Sequence, residues 1–103
     1  MTRFALTLLW AAWLSLCVAP LRAAAQPKPP TEEELAAARK LFNEALEDEQ
    51  KNRWQPALEK LEKVGRIKMT PQVRYHIALC HEHVGRLVEA INGFELAEQE
   101  ARA

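Results

Sequence analysis

His76, Cys80 and His83 are the residues whose types and spacing come nearest to chemistry. At i, i+4 and i+7 on one helix they would present two imidazoles and a thiol, a donor set suited to zinc. The angles work against a shared ion. Cys80 falls in the middle of an apolar stripe, Val73, Ile77 and Val84, whereas His76 and His83 flank it and His81 points elsewhere. No fourth ligand is placed by the spacing. The expectation is therefore an inert thiol packed as a small hydrophobe, with no metal and no cofactor. A redox role would require an exposed thiolate of low pKa, and the pattern offers none.

Other chemistry is harder to find. The chain has no HExxH pair, no glycine-rich phosphate loop and no nucleophile elbow. The acidic runs Glu32–Glu34 and Glu47–Glu49 read as solvated helix ends rather than paired catalytic carboxylates. No enzymatic activity is expected.

What remains is a set of elements that could position a binding surface. The segment from Met1 to Ala25 carries two charges, Arg3 and Arg22, and Phe4 to Ala19 is apolar apart from Thr7 and Ser15. Pro20 breaks that run, and Ala23, Ala24 and Ala25 supply the small side chains a signal peptidase requires. Residues 1–25 are expected to be a signal peptide cleaved between Ala25 and Gln26, which sends the mature chain to the periplasm or outside the cell. The apolar run is short against the ~20 residues of a membrane span, so a membrane anchor arises only if the signal stays uncleaved. Leu14-Ser15-Leu16-Cys17 faintly resembles a lipoprotein box, but Leu16 stands where such boxes hold a small residue.

The remainder holds twelve basic and fourteen acidic side chains. That balance gives no basic stripe, so nucleic acid is not an expected partner. A single cysteine, Cys80, is left after cleavage, and no internal disulfide can staple the fold. Domains this small are marginal without one.

Residues 26–30 (QPKPP) form a stiff extended linker. Thr31 and Glu34 have the spacing of a capping box, and Leu35, Ala38, Leu41, Phe42, Ala45 and Leu46 recur at helical spacing to about Gln50. Asn52 marks a turn. Trp54, Ala57, Leu58, Leu61 and Val64 line one face of a second helix, with Pro56 in its first turn and Gly65 as its stop. Thr70 and Pro71 open a third helix, Gly85 ends it, and a fourth runs from Leu87 to about Ala101. No strand pattern appears, so the fold class is all-α.

Aligning Ala45 with Ala78 lays the second half of this region on the first. Ala45/Ala78, Leu46/Leu79, Glu49/Glu82, Arg53/Arg86, Ala57/Ala90 and Glu62/Glu95 are identities; Phe42 meets Tyr75, Asn52 meets Gly85 and Leu61 meets Phe94. This pattern resembles the tetratricopeptide repeat, a helix–turn–helix unit of about 34 residues. The small residues Ala45 and Ala78, the turns Asn52-Arg53-Trp54 and Gly85-Arg86-Leu87, and the sets Ala57/Leu61/Val64 and Ala90/Phe94/Ala97 carry it. Asn52 replaces the turn glycine, Leu87 an aromatic, and Val64 is larger than the pattern expects. The resemblance covers about residues 36–101. It implies two antiparallel helix hairpins stacked as a short solenoid over residues 31–103, repeat one about 38–70 and repeat two about 71–103.

Between the repeats, Val73, Ile77, Cys80 and Val84 replace Lys40, Glu44, Glu47 and Lys51. The third helix is thus expected to be sandwiched against the second, while the first turns a polar cap to water. Arg53 and Arg86, in the turns, are expected to cap carbonyls. The resemblance further implies a concave groove for a peptide or partner helix, lined by Arg39, Phe42, Leu46 and Glu49, then Gln72, Tyr75, Leu79, Glu82 and His83. The lysine and asparagine set of carboxylate-clamp members is missing from it. Val88 and Leu96 stand where the first repeat has Gln55 and Lys63, which marks a terminal docking face. The expected function is an exported protein-interaction adaptor. The competing readings are a self-associating envelope component, a homodimer in the simplest case, and a His/Cys metal-binding module.

Overall fold

A computed structural model describes residues 28–103. The expected signal segment and its cleavage point lie outside the described residues, as does the start of the linker. Four helices follow in order: α1 Glu32–Gln50, α2 Trp54–Ile67, α3 Pro71–His83 and α4 Leu87–Arg102. No helix among the described residues is long and apolar enough to cross a membrane.

Local chemistry sets the helix starts. The Thr31 hydroxyl accepts from the Glu34 amide at 3.1 Å, and the Glu34 carboxylate accepts from the Thr31 amide at 2.8 Å. Both orphan donors are satisfied by this box, and Glu32 to Glu34 place negative charge at the positive end of the helix dipole. At α3 the Thr70 hydroxyl accepts from the Val73 amide at 3.1 Å. Pro71 follows at the first helical position, where its missing N–H costs nothing.

The turns end α1 and α3 in the same way. Asn52 has φ 59° and Gly85 φ 86°, the left-handed conformation that reverses a chain. The Arg53 amide donates to the Asp48 carbonyl and the Arg86 amide to the His81 carbonyl, each at 2.8 Å. The Asn52 and Gly85 amides donate to the Glu49 and Glu82 carbonyls at 3.0 and 3.2 Å. Each of these bonds in the first turn has its counterpart in the second. The arginines cap carbonyls through their backbone amides, and no guanidinium takes part in the caps.

One expected stop is wrong. Gly65 lies inside α2, which continues to Ile67. Nothing nearby demands a left-handed residue there, and the chain leaves the helix through an extended Lys68.

Helix α1 packs on α2, α2 on α3, and α3 on α4, giving two hairpins joined through α2 and α3. The core sits at that junction. Ala45, Ala57, Leu58, Leu61 and Cys80 form one buried cluster, with Phe42, Trp54, Ile77 and Val84 packed against it. Ala38, Val64 and Val73 form a second. The extra apolar stripe of α3 therefore seats against α2, as its composition predicts, while Lys40, Glu47 and Lys51 of α1 face water. Lys40 and Glu44, and Glu47 and Lys51, stand four residues apart but do not pair; the i, i+4 ion pair among the described residues is Arg102 with Glu98. The second hairpin buries the small residues Ala78, Ala90 and Ala97 and sets Ala78 against Gly93. A β-carbon on Gly93 would stand 2.9 Å from that of Ala78, so the two backbones approach as closely as they can.

Candidate peptide-binding face

The nine residues expected to line the groove fall into three groups. Arg39, Phe42 and Gln72 line one cleft of about 260 Å³ between the N-terminal halves of α1 and α3, floored by Leu35, Val64 and Val73. Thr70 holds the α3 end of this cleft in place through its cap on the Val73 amide. Leu46 and Leu79 are half-buried and stand further along the same two helices.

Glu49 is engaged within the protein. Its two carboxylate oxygens lie 3.0 and 3.1 Å from Nδ1 of His76, and the Cys80 thiol donates to it at 3.4 Å. Phe42 and Tyr75 meet the His76 ring edge to face, with centroids 5.5 and 5.4 Å away. The result is a polar bridge from α1 to α3 with aromatic walls. Burial, then the Glu49 charge, then the hydrogen bond to Glu49 push the Cys80 thiol up from 9.0 to about 12. This is the reverse of an activated cysteine.

Tyr75, Glu82 and His83 reach the surface separately. Tyr75 leans on Phe94 at 5.4 Å, His83 stacks flat on Trp54 at 3.6 Å, and Glu82 is exposed. His76 and Cys80 thus share the Glu49 carboxylate, whereas His83 is held apart from them on Trp54.

Two features escape a reading by pattern. Asp48, in an acidic run expected to be solvated, is buried and bonded to Lys60 Nζ at 2.5 Å, which ties α1 to α2. Arg74 likewise ties α3 to α4 through both oxygens of Glu100 at 3.0 Å. Neither pair shares a helix, so no spacing rule within one element finds it.

Of the residues expected on the terminal docking face, Val88 is 69% exposed and Leu96 41% exposed. Leu96 borders a hollow with Met69, Ile77 and His81, where Nδ1 of His81 is buried without a partner. Leu87 and Ile91, which hold the positions of Trp54 and Leu58 in the first hairpin, are exposed to solvent.

The cleft between α1 and α3 combines an apolar floor with two cations, Arg39 and Lys68, the Gln72 amide and the Thr70 hydroxyl. No group of three or more His, Cys, Asp or Glu among the described residues is arranged to hold a metal ion. The chain matches no protein-family model, no curated protein and no solved structure.

Proposed function

We propose that this chain is an exported, tetratricopeptide-like adaptor that holds an extended segment of a protein partner on its α1/α3 face. The observation that carries the reading is the cleft shared by Arg39, Phe42 and Gln72. An apolar side chain of the partner would enter against Leu35, Phe42 and Val73. The Arg39 guanidinium would take a carboxylate or carbonyl, and the Gln72 amide can both donate to and accept from a peptide backbone. The matching amide-to-carbonyl bonds at Asn52/Gly85 and Arg53/Arg86 support the repeat character of the module. The apolar opening run with Ala23 to Ala25 supports export, which makes the partner a protein of the cell envelope or the secreted space.

Cross-linking capture from envelope extract, with the chain from Gln26 onward as bait, tests the proposal. Arg39→Glu and Gln72→Ala are both surface changes that leave the core intact. Each is expected to lower recovery of the captured protein about tenfold, a loss typical of a polar anchor. Recovery unchanged by both substitutions would place the binding surface elsewhere.

A further inference from the structure

Hairpin two repeats the surface on which α3 is seated, but no helix among the described residues covers it. On hairpin one, α3 lies against Phe42, Glu49, Trp54 and Leu58; Leu58 is 1% exposed there. The counterparts on hairpin two are Tyr75, Glu82, Leu87 and Ile91. Ile91 is 57% exposed, and Tyr75, Glu82 and Leu87 are open as well. The neighbouring hollow of about 400 Å³, bounded by Pro71, Tyr75, Phe94 and Ala97, is the counterpart of the ground between Ala38, Phe42, Leu61 and Val64. In hairpin one Val73 packs into that ground beside Ala38 and Val64.

We infer that the exposed face of α3 and α4 is a docking site for an amphipathic helix of a partner protein. The helix that covers hairpin one defines what fits. It brings apolar side chains at i, i+4, i+7 and i+11, namely Val73, Ile77, Cys80 and Val84. At i+3 it brings an imidazole, His76, to the Glu49 carboxylate and against the Phe42 ring. The incoming helix therefore carries the same apolar stripe, with an N–H donor or cation at i+3 that meets Glu82 beside Tyr75. The apolar part excludes water and the charge pair sets the register.

A second copy does not supply that helix by continuing the stack. Its leading helix, α1, carries Lys40, Glu44, Glu47 and Lys51 where α3 carries the apolar stripe, and those charges would be buried without partners. The α3 of a second copy is already seated on its own α2.

A synthetic, dye-labelled peptide with the sequence of residues 70–84 is the probe, titrated against the full-length chain and followed by fluorescence anisotropy. Saturable binding is expected. Ile91→Asp should weaken it about tenfold or more, and Glu82→Gln several-fold, as for a central apolar anchor and a charged hydrogen bond. Both positions are exposed, and circular dichroism checks that the variants stay helical. Lys63→Glu, an exposed change on α2, should leave the titration unchanged. The inference is overturned by three results: no saturable binding at millimolar chain, binding that survives either substitution, or a dimer in sedimentation that Ile91→Asp dissolves. The last would mean that a second copy covers the face.

Discussion

Cys80 sits where the two hairpins meet, and its thiol illustrates how one side chain records its surroundings. Its place in the Val73/Ile77/Val84 stripe is visible in the sequence, and burial follows from it. The carboxylate beside it is not visible there, because Glu49 belongs to another helix and to a run that reads as solvated. Burial and Glu49 together raise the thiol from 9.0 to about 12. The unfolded chain then loses the proton first, so the stability tied to the neutral thiol is complete below pH 9 and drains away as pH rises towards 12. Urea unfolding across that range should show the native chain losing more stability than Cys80→Ala, whose profile lacks this contribution. Parallel profiles would contradict the assigned surroundings. A thiol reagent at pH 8 should label the native chain only as fast as it opens.

Helix–helix contact decides what a glycine means within an element. Gly65 and Gly93 both lie inside helices, and nothing in their local sequence separates them. A β-carbon at Gly93 would press on the β-carbon of Ala78 at 2.9 Å, a group that moves only with its backbone. One at Gly65 would meet the terminal methyl of Met69 at 2.5 Å, the free end of a flexible, exposed side chain. Gly93→Ala should therefore destabilise through overpacking of about 1–3 kcal/mol, less the roughly 1 kcal/mol returned by better helix propensity. Gly65→Ala should be neutral or stabilising by up to about 1 kcal/mol. Denaturant midpoints of the two variants give the comparison, and equal shifts would refute the close approach of α3 and α4. The boundaries themselves were legible, since Thr31, Thr70, Pro71, Asn52 and Gly85 act on backbone only a few residues away. Gly65 misled as a stop because a glycine ends a helix only where the chain needs a left-handed residue.

At the scale of the molecule, residues 28–103 form a stack of two hairpins with unlike outer faces. Charge seals the α1 side, whereas the α4 side leaves apolar groups in water. Leu58 and Ile91 hold the same position in their hairpins, and their energetics should differ accordingly. Leu58→Ala is expected to cost about 2–5 kcal/mol, Ile91→Ala no more than about 0.5 kcal/mol, both measured by urea unfolding. A comparable cost at the two positions would show that the α4 face is covered in solution. By itself the sequence determined the all-helical class, the turns and the correspondence between the hairpins, because propensity, capping and periodicity act over a few residues at a time. It also marked the charged α1 surface as an outer one. Which copy of a shared stripe lies buried, which acid finds a base across a helix boundary, and which small residue bears a contact were decided by the tertiary structure. Burial and ion pairing depend on what stands opposite, and among the described residues no helix stands opposite Ile91.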